Sequence, residues 1–280
     1  MRHLRATALT AACLVLLLVP DTASASVPAA ASAPGGLRAD ARRDGTTYSG
    51  PGFDACSAPS LETMRAWRGN SPYGAVGVYT SGNQRACDQS RLTADWVRQV
   101  RAMGWRLIPT HVGSQAPCGD SASKPGHIDP AHAADQGRAE AAQAVTALKA
   151  LGLDEGSPVY LDVEAYQQSQ PSCSQAVVDF TIGWTEELHR LGYRSGFYSS
   201  LDSGIADLHA AARARRSPLP DAIWYARWDD RADTGGSGGL DEDLWVNHQR
   251  IHQNQGNVQE TYGGVTLPID RNWIDGPVAG

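Results

Sequence analysis

From Gly52 onward, the chain alternates between two patterns of apolar and polar positions. Short apolar runs, typical of buried strands, are followed by stretches in which apolar residues recur every three or four positions, as on one face of a helix. The pattern predicts five strand–helix units and then three strands joined by Gly-rich loops. The predicted strands are 51–56, 73–81, 104–113, 157–164, 193–200, 221–228, 244–253 and 264–270, and the helices open near 60, 92, 132, 177 and 203.

The order of these strands and helices indicates the fold class. Eight strands and five helices fit a TIM-like α/β barrel more naturally than an open doubly wound sheet. The sequence therefore predicts one barrel domain over residues 50–280, a length that can bury a large core.

The segment SPVYLDVEAY, residues 157–166, begins as a buried strand and ends in two acids. Asp162 and Glu164 lie on the same face of that strand, with Cα atoms about 6.6–6.8 Å apart. Two carboxylates at this separation do not both ionise freely, so one is expected to retain its proton. A proton donor beside a carboxylate is what acid-catalysed cleavage of a glycosidic bond requires. The alternative is a pair of acids at a solvated strand end.

Other predicted strands also end in polar or aromatic residues. In such a barrel, functional groups gather at the C-terminal ends of the strands. Each residue alone has a structural explanation, such as capping a loop or packing in the barrel. Together, acids, aromatics and amides suit a sugar, whose ring stacks on aromatic side chains and whose hydroxyls need polar partners. The candidate residues are Asp54, His111, Asp162, Glu164, Tyr198, Trp228, Gln253 and Asp270.

The first 25 residues have the pattern of a secretory signal peptide. Arg2 and Arg5 precede an apolar run, and Ala23-Ser24-Ala25 is a small-residue cleavage site. The run is too short for a comfortable membrane span, and no later segment is long enough. Residues 26–49 are expected to form a disordered leader, which leaves an exported, extracellular or cell-wall-associated domain.

The cysteine count indicates the cellular compartment, and the charge makes some classes of binding partner unexpected. Removing residues 1–25 also removes Cys13 and leaves four cysteines, which in an exported chain suggest two disulfides in one of three pairings. No CxxC pair indicates zinc. The chain has 24 Lys and Arg against 30 Asp and Glu; without Arg2, Arg5 and Asp21 the balance is 22 against 29, a net charge of −7. No basic stripe is present, so nucleic acid and anionic membrane are not expected partners.

Several short motifs resemble those of known families. The segments GFDACSAPS, LDVE, YSS, ARWD, HQ and IDRNW occur in the order found in family 25 glycoside hydrolases, the Chalaropsis-type lysozymes. GFDACSAP, IPTHVGSQ, DQGRAEA and HQNQG are more similar to the glycoside-hydrolase-like domain of secreted bacterial proteins, domain of unknown function 1906. The resemblance covers about residues 50–275 and implies a barrel of eight strands and five helices.

The resemblance also implies roles for the acids. Glu164 matches the proton donor of the Asp-x-Glu motif, and Asp162 matches the acid that orients or stabilises the reacting sugar. Asp54 and Asp270 match the flanking acids of the first and last strands. His111 stands where the closer group usually has Tyr, and Asn254 replaces an aromatic residue, which leaves sugar specificity open.

Three classes of function fit these observations. The first is a monomeric glycosidase acting on peptidoglycan or another surface polysaccharide, without a cofactor. The second is a glycan-binding barrel that does not turn substrate over. The third is a divalent-metal hydrolase using the acids with His111. The segment HQRIH places His248 and His252 four residues apart, but Gln249 stands where a zinc protease needs Glu, so no metal site is assigned there.

The order of strands predicts the disulfides, because adjacent strands bring adjacent loops together. Cys56 should join Cys87, and Cys118 should join Cys173, both at the mouth of the barrel.

The acid pair leads to two further expectations. Glu164 should be protonated at neutral pH and Asp162 ionised. Both approach the sugar from one side, which is poor geometry for a nucleophile, so we expect the substrate's own 2-acetamido group to attack, with net retention.

Overall fold

The computed structural model of the chain describes residues 45–120 and 124–280. The predicted signal peptide, residues 1–25, and the predicted leader up to residue 44 lie outside the described residues. None of the described helices is long and apolar enough to cross a membrane.

The described residues form a closed eight-stranded barrel with five helices, which confirms the predicted TIM-like fold. Neighbouring strands are parallel from β1 to β7, and β8 is antiparallel to both β7 and β1. The strands are β1 Gly45–Asp54, β2 Ala75–Ser81, β3 Arg106–His111, β4 Pro158–Asp162, β5 Arg194–Ser200, β6 Ala222–Ala226, β7 Arg250–Tyr262 and β8 Val265–Ala279. The helices are α1 Leu61–Trp67, α2 Ala94–Ala102, α3 Ala133–Ala150, α4 Pro171–Arg190 and α5 Gly204–Arg213.

The last two strands differ most from the sequence prediction. They form a long hairpin turned by Gly263 and Gly264, both with positive φ, whereas the predicted strands were shorter and began earlier. Residues 244–249 belong to the preceding loop, in which Trp245 and His248 also have positive φ. The strand β8 is long because it pairs with β7 on one side and with the whole of β1 on the other.

That pairing also corrects the predicted start of the domain. Residues 45–49, assigned to the leader by composition, are part of β1, where Gly45 pairs with Ala279 and Asp54 with Asp270. Composition gave no sign of this, because the partner strand lies more than 200 residues later.

Apolar residues pack in two layers on either side of the barrel wall. Inside the barrel, Tyr160 and Trp224 lie edge to face with ring centroids 5.9 Å apart, among buried Ile108, Ile251 and Ile274. Outside the wall, the alternate strand residues pack against the helices in one larger cluster. The inward and outward residues thus follow the period of two expected for strands that are buried on both faces.

Two disulfides join neighbouring loops at the mouth of the barrel. Cys56, just after β1, bonds to Cys87 in the loop after β2, with Cα atoms 5.6 Å apart. Cys118, in the loop after β3, bonds to Cys173 in the first turn of α4, with Cα atoms 5.8 Å apart. This is the pairing expected from the order of strands, and it ties the loops that surround the candidate site.

Helices α3 and α4 approach each other closely at two glycines. A Cβ atom at Gly137 would lie 2.0 Å from the carbonyl oxygen of Phe180, and one at Gly183 would lie 2.0 Å from that of Ala134. The two helix backbones can be this close only because neither position carries a side chain.

We predict that Gly183→Ala destabilises the protein. In an ordinary helix, alanine is more favourable than glycine by about 1 kcal/mol, but here the new methyl group meets backbone. We expect the free energy of unfolding in urea to fall by about 1–3 kcal/mol. The control Gln143→Ala, at an exposed position of α3, should change it by less than about 0.5 kcal/mol. A Gly183→Ala variant as stable as the wild type would contradict the close packing.

Candidate functional site

The alternation of strand residues decides which side chains reach the mouth of the barrel. Asp162 is two positions after inward-facing Tyr160, and Gln253 is two positions after inward-facing Ile251. Residues of this parity converge at the C-terminal ends of the parallel strands. They form the floor of a cleft of about 380 Å³.

Seven of the eight sequence-predicted site residues line this cleft: Asp54, Asp162, Glu164, Tyr198, Trp228, Gln253 and Asp270. One detail needs correction, because Asp270 lies within β8 and not at a strand end. The antiparallel direction of β8 still places it at the mouth, opposite Asp54.

The placement predicted for His111 is wrong. Its ring has no exposed surface and lies behind the barrel wall, 5.3 Å from the Trp184 ring of α4. Ser81 contacts its Nδ1 at 2.7 Å, and Glu140 of α3 contacts its Nε2 at 3.1 Å. His111 has the opposite parity to inward-facing Ile108, so it points toward the helices and holds them against β3.

Asp54 has a complete set of hydrogen-bond donors. Tyr79 donates to its Oδ1 at 2.9 Å, and Asn272 and Gln253 donate to its Oδ2 at 2.7 and 3.2 Å. Burial, and then the nearby charge of Asp270, raise the pKa of Asp54 to about 7, although the three donors oppose this. Asp54 is therefore fixed in position and titrates near neutral pH.

The amide of Gln253 connects the acids to the aromatic side of the cleft. Its Oε1 accepts hydrogen bonds from the Tyr198 hydroxyl at 3.0 Å and from the Trp228 indole at 3.2 Å. Trp228 is 57% exposed, yet its ring lies so close to Gly256 that a Cβ there would be 2.1 Å away. The structure thus holds a large apolar ring in a fixed position at the rim, as a sugar-stacking platform requires.

Asp162, Glu164 and Lys124 form an ionic group on the opposite side. Asp162 is only 3% exposed, and its Oδ1 has no hydrogen-bond partner among the described residues. Lys124 lies 3.4 Å from the other oxygen, Oδ2, and forms a closer ion pair with Glu164, which is half-buried. A buried carboxylate oxygen without a partner is costly, and in a native protein it calls for an explanation.

The protonation predicted for this pair is wrong for Asp162. Burial, and then the charge of Glu164, raise the pKa of Asp162 to about 7, so in the free protein it is not the permanently ionised partner. The pKa of Lys124 is also raised, because the two carboxylates outweigh the effect of burial. The sequence could not show these shifts. The raised pKa of Asp162 depends on its burial, which is greater than that of Glu164, and the raised pKa of Lys124 depends on a loop that brings it between the two acids.

Gln115 fixes the backbone that carries the two acids. Its amide nitrogen donates to the Asp162 carbonyl oxygen at 3.0 Å, and its amide oxygen accepts from the Glu164 backbone N–H at 2.8 Å. Where β4 ends, the Gln115 side chain thus makes the backbone hydrogen bonds that a neighbouring strand would otherwise make.

Sequence reasoning missed Gln115, Lys124, Tyr79 and Asn272. Tyr79 could have been found, because it has the inward parity of a strand that ends at the mouth. Asn272 could have been found because it lies two positions after Asp270 and so shares its face of β8. Gln115 and Lys124 lie in the long polar loop after β3, whose path no local pattern reveals.

Among residues 45–120 and 124–280, no group of three or more His, Cys, Asp and Glu side chains is arranged to hold a metal ion. The metal-hydrolase alternative depended on His111, which does not join the acids. His248 pairs with Asp275 at 2.6 Å, and His252 is buried against backbone carbonyls.

Comparison with protein families identifies the chain. The model of the Rv2525c-like, glycoside hydrolase-like domain matches residues 65–274, three-quarters of the 280 residues. The chain belongs to this family. The residues of the chain that match the Rv2525c-like domain include Asp162, Glu164 and Asp270. A search of curated proteins found no match.

Solved structures share the fold of this Rv2525c-like domain. An uncharacterised B. stearothermophilus protein is 16% identical, with a TM-score of 0.51 over 80% of this chain and 95% of that chain. The Mycobacterium tuberculosis Tat-secreted protein Rv2525c, solved in complex with HEPES, is 15% identical, with a TM-score of 0.51 over 80% and 95%. The Clostridium perfringens spore cortex lytic enzyme SleM is 16% identical, with a TM-score of 0.49 over 81% and 67%. At these identities the likeness shows the fold alone.

We predict that Asp162→Asn stabilises the protein at high pH. The pKa of Asp162 in the folded protein, about 7, exceeds its ordinary value of 3.8, so its contribution to stability is present at low pH and is lost as the pH rises through 7. The variant should exceed the wild type in free energy of unfolding by about 1–3 kcal/mol at pH 8, and by little at pH 4. Exposed Asp88→Asn is the control and should show no such pH dependence. A variant that is less stable than the wild type at pH 8 would contradict the assignment.

Proposed function

We propose that the protein is a secreted glycoside hydrolase that cleaves N-acetylated glycans of the cell wall, with peptidoglycan as the substrate and Glu164 as the general acid. The observation that carries this proposal is the unpartnered, buried oxygen of Asp162 beside a second carboxyl in a sugar-sized cleft. The family's glycoside hydrolase-like description and the match of Glu164 to the Asp-x-Glu proton donor support it. The predicted signal peptide and the two disulfides support an extracellular location.

The shape of the cleft suits a polymer. A second cavity of about 370 Å³ continues past Glu164 and Trp228, and these residues line both spaces together with Tyr198 and Gln253. A glycan bound across these shared residues has one sugar in each cavity, on either side of Glu164. One sugar can stack on Trp228, while Asp54, Asp270 and Gln253 meet the hydroxyl groups of the other.

The positions of the two acids suggest the mechanism. Glu164, on the accessible rim, donates its proton to the oxygen of the leaving sugar. Asp162 accepts a hydrogen bond from the N–H of the substrate's 2-acetamido group, whose carbonyl oxygen then attacks the anomeric carbon from the opposite face. Water opens the resulting ring with Glu164 as base, so the product keeps its anomeric configuration.

A second candidate function is glycan binding without turnover. It is favoured by the ion pair between Lys124 and Glu164, because a carboxylate engaged with an ammonium group has no proton to donate. The cleft and Trp228 would serve both functions equally well.

We predict that the mature protein releases reducing ends from purified cell walls and that Glu164→Gln lowers the rate by about 100-fold or more, since general acids contribute at least this much. Glu242→Gln, at an exposed position, is the matched control and should keep wild-type activity. Co-sedimentation with the same walls measures binding. Binding without release would select the second candidate, and neither binding nor release would contradict both.

A further inference from the structure

Lysine is rare in this protein, and one of its lysines lies in the cleft. The 280 residues include 22 arginines but only two lysines, Lys124 and Lys149. Lys149 is exposed near the end of α3, whereas Lys124 is 7% exposed and lies between two carboxyl groups. A buried ammonium group is stable only with opposite charge beside it, so its position is fixed by Asp162 and Glu164.

The charges of these three groups do not balance if both acids are ionised. One ammonium group faces two carboxylates, which leaves one negative charge in a buried place. A lysine ammonium has only donors and favours the ionised form of the carboxyl group nearest to it, so its closer contact with Glu164 supports Glu164 as the carboxylate. The unpartnered Oδ1 of Asp162 is then the free position for the remaining proton.

We propose that Lys124 is a positioning residue that holds Glu164 as a carboxylate in the free protein, so that the negative charge of Glu164 keeps the shared proton on Asp162 until an N-acetylated sugar binds. The catalytic half of this inference rests on the proposed function. The placement of the proton in the free protein does not.

Sugar binding then reverses the arrangement. An acetamido N–H forms a stronger hydrogen bond with a carboxylate than with a neutral carboxyl group, so sugar binding favours transfer of the proton from Asp162 to Glu164. Lys124 remains an ammonium ion and moves from Glu164 toward Asp162, the new carboxylate. No proton is gained or lost overall. Because Oδ1 is itself buried, the sugar reaches it only after such a rearrangement of the floor.

This coupling would make the acetamido group a condition for catalysis. A glycan whose amino groups lack acetyl carries a cationic ammonium at that position and cannot form the attacking carbonyl. The need for an acetamido carbonyl therefore lets the site discriminate N-acetylated from deacetylated glycan.

Other charged or titratable groups face the pair without replacing Lys124. Across the cleft, Asp54 and Asp270 add negative charge, and Tyr79 and Tyr198 are neutral because burial raises their pKa values well above the ordinary 10.0. Arg85, at the rim, donates to the backbone carbonyls of Gly82 and Tyr79. His127, in the small cavity beneath Glu164, contacts the Ala116 carbonyl. Within the described ranges, Lys124 is the cation that forms an ion pair with Asp162 or Glu164.

The test follows both carboxyl groups by carbon-detected NMR titration of the full mature protein. In Lys124→Met, the titration midpoint of the Glu164 carboxyl should move up by about 1 pH unit or more, since an adjacent cation has been removed. Lys124→Arg should restore the wild-type midpoint, and Lys149→Met should leave it unchanged. Unchanged titration of both carboxyls in a folded Lys124→Met protein would overturn the inference.

A second measurement covers the case in which Lys124→Met does not fold. The wild-type protein has two lysine side chains, so a ¹⁵N spectrum of its ammonium groups contains two lysine signals, with Lys149 as the internal reference. The Lys124 signal should shift with the same midpoint as the Asp162 carboxyl. A Lys124 signal that does not follow Asp162 would overturn the inference.

The two proposals fail separately. If the wild type releases no reducing ends but the carboxyls respond to Lys124→Met as expected, the proposed function fails and the placement of the proton stands. If the wild type is active and the carboxyls do not respond, the role of Lys124 fails and the hydrolase stands.

Discussion

Strand β8 closes the barrel, and this closure determines where the acids of the cleft lie. Because β8 runs antiparallel between β7 and β1, it places Asp270 directly opposite Asp54. Inward-facing side chains of a closed barrel all point toward its axis. Acids at inward-facing positions near the mouth therefore lie close together there. The charge cluster follows from the hydrogen-bonded register of the sheet, and the raised pKa values of Asp54 and Asp162 follow from its burial.

The two most buried acids of the cleft differ in how completely their oxygens are hydrogen-bonded. Asp54 is surrounded by donors from β2, β7 and β8, and each of its oxygens is satisfied. Asp162 has its backbone fixed by Gln115 but keeps one side-chain oxygen unpartnered. This contrast between one fully hydrogen-bonded buried carboxyl group and one with an unpartnered oxygen is the physical basis of the proposed function.

Sequence predicted the barrel and most of the cleft because both depend on local periodicity. Apolar runs mark strands β2 to β6, and residues two apart where a strand ends, such as Asp162 and Glu164, are expected to share a face. His111 was misplaced because β3 is buried on both faces, so its pattern does not reveal which parity is inward. Lys124 and the length of β8 were beyond reach, since each is determined by contacts between distant parts of the chain.

The proposed mechanism assigns the unpartnered oxygen of Asp162 to the acetamido group of the substrate. The most direct measurement is a crystal structure of the Glu164→Gln protein with a bound N-acetylated glycan oligosaccharide. We expect an acetamido nitrogen within about 3.2 Å of Asp162 Oδ1. A sugar bound in the cleft with its acetamido group directed away from Asp162, and with Oδ1 still unpartnered, would contradict this role of Asp162.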